Sequence, residues 1–196
     1  MITSISFVKN IKTELIRKSL HFLIALSPVM AAINLSFTLA ALMVGILAYI
    51  CLEHLRLRGV QIPLVSSLTV LASRPRDQGG FVLGPVTLGL GALLALSLYP
   101  PEAASIAIYA LAFGDGFAGL VGRIFGRSRP AFLFGKSLEG TTACFLAVLI
   151  ASLRVCNNLP MSLAAACSAS AVEALPLEDL DNVVLPLVVG LVVFSV

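Results

Sequence analysis

Apolar residues in this chain fall in long runs, not in the alternating or striped patterns of a soluble fold. The runs occupy residues 19–35, 36–52, 81–99, 102–122, 138–154, 159–175 and 182–196. A helix needs about 17–25 mostly apolar residues to cross a bilayer, and all but the last run meet that length. The run at 182–196 is short and must sit untilted or thin the bilayer. Residues 60–73 are apolar as well, but short and broken by Pro63, which predicts a re-entrant or interfacial segment. At the start, Ile2, Ile5, Val8, Ile11 and Leu15 recur at helical spacing with Lys9 and Lys12 between them. That pattern predicts an amphipathic helix over 2–18, lying on the membrane surface. A cleavable signal peptide is the rival reading of this region. The long basic stretch and the multi-spanning remainder argue against it. The expected fold is an all-α polytopic membrane protein with about seven transmembrane helices and an N-terminal amphipathic helix. Residues 1–196 would form a single integral membrane catalytic domain.

Composition excludes the alternatives. Of the 196 residues, 59% are hydrophobic and 12% charged. Soluble domains run at about 45–50% apolar and about 25% charged. The four cysteines, at 51, 144, 156 and 167, lack any ligand spacing and lie in or beside apolar runs, as packing residues do. No basic run with interleaved aromatics suggests nucleic acid.

Charge then orients the chain. With seven spans, 12 of the 13 Lys/Arg fall on the side that holds the N-terminus, and only Arg154 falls opposite. The positive-inside rule places that side in the cytoplasm. Nine of the ten acidic residues lie at or beside the same ends, which the rule does not require. Polar chemistry is therefore concentrated at one face.

The segment GDGFAGLVGRIFGRSRPAFLFGKSLEGTT carries most of it. Gly114, Gly116 and Gly119 spell GxGxxG, but a membrane span precedes them and no βαβ unit surrounds them. Gly135-Lys136-Ser137 has the ending of a P-loop, but the first glycine of that motif is replaced by Pro130. On a helix, Asp115, Gly119, Gly122 and Gly126 share one face, which suits close helix packing. Asp115 goes beyond packing, because an ionisable residue at the end of a span is functional by default. Ser137 can cap a helix starting at 138, with Glu139 in its first turn and Gly140 allowing close approach. A helix N-terminus with Lys136, Thr141 and Thr142 beside it suits phosphate, and a nearby carboxylate could add Mg²⁺. Arg127 and Arg129 serve equally well as anchors.

Two further clusters flank it. Glu173, Glu178, Asp179 and Asp181 gather before the last span, where Asp181 could cap the helix. Glu14, Arg17, Lys18 and His21 form a polar stripe entering the first span. Glu53 with Arg56, and Arg74-Pro75-Arg76-Asp77, repeat the theme. Cations, carboxylates and a helix terminus at one membrane face suit phosphoryl or nucleotidyl transfer to a lipid head. A transporter would place charge at mid-span and often carry repeats, and neither is present. A non-catalytic scaffold would not need the cluster of Asp115, Lys136 and Asp181.

These residues resemble the CTP-dependent lipid kinase family of dolichol kinase, phytol kinase and yeast-type diacylglycerol kinase. The resemblance rests on ELIRKSLH (14–21), FGDGFAGLVGRIFGR (113–127), GKSLEGTTA (135–143) and EALPLEDLDNVVLPL (173–187). It implies transfer of the CTP γ-phosphate to a long-chain alcohol (a polyprenol, phytol or diacylglycerol) with a divalent cation. Asp115, Lys136 and Asp181 would be catalytic, and Asp115, Asp181 and Glu139 would hold Mg²⁺. Arg123, Gly135, Lys136, Ser137, Glu139, Gly140 and Thr141 would bind nucleotide. Arg17, Lys18, His21, Glu173 and Asn182 would contact substrate or support the site. RPRDQGG before the third span departs from the family pattern, leaving Asp77 an open substitute. The pattern is also similar to phosphatidate cytidylyltransferase, but the DN and RKSLH elements favour the kinase. The implied setting is the bacterial cytoplasmic membrane, or the endoplasmic reticulum in a eukaryote. An exposed small-residue face permits a homodimer.

Overall fold

The computed structural model describes residues 2–60 and 79–196, with side chains from residue 13 onward. The expectations for Arg74-Pro75-Arg76-Asp77, and for 60–73 beyond Val60, lie outside the described residues. Those described are helices and short connections, without a strand. In chain order the helices are α1 (Ile2–Ile24), α2 (Ser27–Ile33), α3 (Leu35–Leu57), α4 (Gly84–Leu98) and α5 (Pro101–Tyr109). A π-helical segment (Ala110–Asp115) joins α5 to α6 (Gly116–Ile124). Then come α7 (Leu138–Cys156), α8 (Leu159–Ala174) and α9 (Asp181–Ser195).

Every expected apolar run is helical, but the ends differ where local chemistry intervenes. The first run breaks between α1 and α2, because Pro28 in the first turn of α2 has no N–H to give to the preceding turn. α1 in turn continues backward to Ile2 with no boundary near residue 18. The helix expected over 2–18 is thus the first part of α1, which runs on to Ile24. The polar stripe from Glu14 to His21 belongs to the helix that enters the apolar layer. α3 starts where the Asn34 side chain accepts from the Phe37 N–H, at 2.9 Å. α8 starts the same way at Asn158.

Among the described residues, four segments are long and apolar enough to cross a membrane: Thr13–Ile33, Leu35–Leu57, Pro101–Ile124 and Leu138–Cys156. The helices α4, α8 and α9 have 15 or 16 residues. At 1.5 Å per residue they reach about 23–24 Å, short of a ~30 Å hydrocarbon core. Burial identifies the surrounding medium. Across its 23 residues α3 buries only Thr38 and Glu53, while Phe37, Met43, Val44 and Leu47 are exposed. Water would reverse that pattern, and lipid sustains it. The protein is a membrane protein.

The core lies where α5, the π segment, α7, α8 and α9 meet, around Ile106, Leu111, Val148, Ala165, Ala169, Leu185 and Val189. Its many alanines let backbones approach closely, which drives helix association in lipid. Pro186 inside α9 frees the Asn182 carbonyl, and Gly91 of α4 packs so close to that oxygen that a Cβ there would overlap it. Peripherally, Glu53 accepts from Arg56 at 2.7 Å twice and from the Val82 N–H at 3.0 Å. That pair ties the end of α3 to the chain entering α4. All four cysteines are free, and Cys144 packs in the core.

Candidate active site

Asp115 is the last residue of the π segment and is buried. A π turn accommodates an extra residue and rotates the helix beyond it, and such turns recur at functional sites. The rotation brings Asp115 against α1. The Lys18 ammonium donates to its Oδ2 at 2.5 Å. His21 Nδ1 lies 3.0 Å from the same oxygen, off the hydrogen-bond direction. Lys18 can lie there because Gly119 has no side chain: a Cβ would meet the Lys18 Cε at 2.5 Å. Glu14 extends the network, meeting Arg17 at 3.0 Å, Arg123 at 3.3 Å and Lys18 at 4.0 Å.

The N-terminus of α7 forms the opposite wall. Ser137 accepts from the Gly140 N–H at 3.1 Å, as the sequence suggests. What Gly140 admits is the backbone of α6, since a Cβ there would meet the Ala118 carbonyl at 2.8 Å. Lys136 donates to Glu173 on α8 at 2.9 Å, and Thr141 donates to the other oxygen of Glu173 at 3.3 Å. Burial works against the charge on Lys136, but the Glu173 carboxylate outweighs it, aided by Asp115 and Asp181. Its pKa is held above the ordinary lysine value. Thr142 turns its hydroxyl to the Leu138 carbonyl instead.

Asp181 opens α9 within its first turn and makes no side-chain cap, since the cap position belongs to Leu180. Its charge faces the positive end of the helix dipole. Asn182 is buried and donates to Thr87 Oγ1 at 2.9 Å and to the Gly84 carbonyl at 3.4 Å, fastening α9 to α4.

These elements enclose a cleft of about 390 Å³. It gathers Asp115, Lys136, Asp181, Arg123, Ser137, Gly140, Arg17, Lys18 and Glu173 from the expected set. His21 adjoins it through Asp115, and Thr141 through Glu173. Neither of these two lines it, and three more expected residues, Glu139, Gly135 and Asn182, also fall outside its lining. Glu139 accepts from the Arg127 and Ser128 N–H groups at 3.0 and 3.2 Å, clipping the loop before α7. Gly135, at φ +88°, turns that loop, and its carbonyl accepts from Arg129 at 2.6 Å. Asn182 braces α4.

The same cleft is lined by two residues to which the sequence assigned no role in the site, Glu14 of the polar stripe and Arg129 of the anchoring pair. The spacing of Glu14 within the stripe was the available signal. Arg129 carried none beyond its charge. In total five cations and four carboxylates line the cleft. Among the described residues no three His, Cys, Asp or Glu side chains are grouped to cage a metal. Asp115 and Asp181 offer the one or two carboxylates with which Mg²⁺ joins substrate phosphates.

The chain is similar to a phytol kinase. It is 33% identical over 113 residues to the phytol kinase of Synechocystis sp., covering 56% of this chain and 46% of that protein. The chain thus spans less than half the length of that curated relative. No family profile and no solved structure matches the chain. The relative agrees with the kinase resemblance carried by the four motifs and does not favour the cytidylyltransferase pattern.

Proposed function

We propose that this protein is a lipid-alcohol kinase that transfers the γ-phosphate of CTP to a long-chain alcohol at the cytoplasmic face of a multi-pass membrane domain. The observation that carries this reading is the single cleft in which Asp115, Lys136 and Asp181 meet the cations of α1 and α6 beside the membrane layer. The likeness to a phytol kinase supports a lipid-alcohol acceptor.

In this reading Lys136, Arg123 and Arg129 hold the phosphates, with the Thr141 hydroxyl and the first turn of α7 beside them. Lys136 stays charged for that task, because Glu173 holds its pKa high. Asp115, buried and oriented by Lys18 and His21, accepts the proton of the acceptor hydroxyl. The hydroxyl oxygen forms a bond to the γ-phosphorus as the bond to the β–γ bridging oxygen breaks, and CDP leaves. Positioning and charge neutralisation do most of the work in such transfers. Mg²⁺, which Asp181 would hold together with the phosphates, would neutralise charge on the transferring group.

The test supplies purified protein and Mg²⁺ with CTP labelled at the α- or the γ-phosphate. Phytol, polyprenol, diacylglycerol and phosphatidic acid are offered separately. Label from the γ position should enter an alcohol. Label from the α position entering phosphatidic acid would replace this reading with a cytidylyltransferase.

A further inference from the structure

Residues 125–137 join α6 to α7 in a loop whose two ends are stapled together. The Leu138 N–H donates to the Ser128 carbonyl at 2.9 Å, beside the two bonds that Glu139 accepts from Arg127 and Ser128. Gly126 lies so close to Ser137 that a Cβ there would meet the Ser137 Cβ at 2.7 Å. Farther along, Arg129 donates to the Gly135 carbonyl at 2.6 Å, and the Lys136 N–H donates to the Leu133 carbonyl at 2.8 Å. At the tip a single 3₁₀ turn, Ala131–Leu133, buries Leu133, which is 6% exposed. The turn therefore lies back on the helices and does not stand off them.

The residues on either side of Leu133 turn outward. Phe132 is 70% exposed and Phe134 61%. Phe134 does so at φ +49°, in the left-handed region that a bulky side chain rarely adopts. A loop bonded this tightly holds both rings out as a fixed feature, and apolar surface displayed in that way marks a contact. Where the loop is tied shows what the rings meet. It runs from the end of Pro101–Ile124 to the start of Leu138–Cys156, both long and apolar enough to cross the membrane. Exposed apolar residues continue through both junctions, with Ile124 and Phe125 at one and Leu138 at the other. A turn folded back on the helices at this level lies in the headgroup layer. The loop carries Arg127, Arg129 and Lys136 and no carboxylate, so nothing in it opposes lipid phosphates.

We propose that the 125–137 loop is an interfacial anchor that sets Phe132 and Phe134 into the headgroup–acyl boundary of the bilayer, with phospholipid as the occupant of this surface. Aromatic and basic residues side by side suit that boundary, rings toward the acyl chains and cations toward the phosphates. The anchor stands independently of the kinase reading. It also bears on the cleft, because Arg129 and Lys136 of the same loop line it. Seating the two rings fixes those two cations at headgroup level.

The chain has no tryptophan, so Phe132→Trp and Phe134→Trp each supply one fluorophore to the full chain in phospholipid nanodiscs. Both should emit at shorter wavelength than a hydrated tryptophan. Lipids brominated near the head of the acyl chain should quench both, and aqueous iodide should quench them far less than it quenches free tryptophan. Either residue open to iodide and untouched by brominated lipid would overturn the proposal. Short-wavelength emission without quenching by brominated lipid would overturn it too, since a second copy or another protein would then cover the rings. A second measurement uses the unmodified chain, so that it does not depend on how the variants fold. A phospholipid carrying a diazirine at the head of its acyl chain should label the peptide 130–135 as well as α3, whose exposed face is the internal control. Label on α3 with none on 130–135 would overturn the proposal whatever the fluorescence shows.

Discussion

At the scale of single residues, the buried pair of Lys18 and Asp115 has the largest consequences. Both side chains are at least nine-tenths buried and 2.5 Å apart. Removing one partner of a buried pair strands the other, at about 3–5 kcal/mol. Asp115→Asn should therefore lower Tm as well as stop turnover by about 100-fold or more. The double variant Asp115→Asn with Lys18→Met should recover the Tm, measured in detergent, and still not turn over. Recovered activity in the double variant would reduce Asp115 to a structural role. A second prediction concerns Lys136. Its raised pKa means the charge is fully present below the ordinary lysine value of about 10.4 and is lost only as pH climbs past its higher folded value. Lys136→Met should weaken nucleotide binding by about tenfold or more, as loss of a charge-assisted contact does. That factor should stay constant from about pH 6 to about pH 9, as measured by equilibrium binding. A factor that shrinks across this window would show that Lys136 titrates within it.

Elements show what the sequence disclosed and what it withheld. Ser137 was legible as a cap because capping is local, one hydroxyl reaching a backbone N–H three residues on. The convergence of 14–21, 113–127 and 135–143 was legible because charge in an apolar chain stands out. Partner choice was not legible. Glu139 satisfies the loop before α7, and Asn182 satisfies α4, through contacts that depend on how helices dock. Nor could the π segment be read from Ala110–Asp115, since nothing in ALAFGD distinguishes a π turn from an α turn. It nevertheless decides where Asp115 lies. Deleting the buried Ala112 should let regular α-helical bonding run through, rotating the two halves of this span by about 100° relative to each other. Helix content by circular dichroism should be kept while phosphoryl transfer is lost. Retained transfer would show that Asp115 does not depend on the π turn.

For the molecule as a whole, short helices and one-sided charge together define a topology. The links Tyr99-Pro100 and Asn157-Asn158 are too short to hold a site, whereas 125–137 and 175–180 border the cleft. One end of the bundle is therefore chemical and the other only a set of turns. If α7 crosses the membrane, Ser128 and Asn157 emerge on opposite faces, with the Arg-rich loop at Ser128 inside. In a chain whose four native cysteines are replaced by alanine, Ser128→Cys and Asn157→Cys each give one reporter. A membrane-impermeant thiol reagent applied to intact cells should label Asn157→Cys, and should reach Ser128→Cys only after the membrane is opened. The reverse pattern would invert the molecule and place the cleft away from cytoplasmic CTP. Labelling of both from outside would show that α7 does not cross, even though its 19 residues are long enough, at about 29 Å, to do so. The cleft joins Lys136, at the start of α7, to Asp115, inside the apolar segment Pro101–Ile124. Either failure would therefore remove the single face on which the proposed transfer has nucleotide and lipid meet.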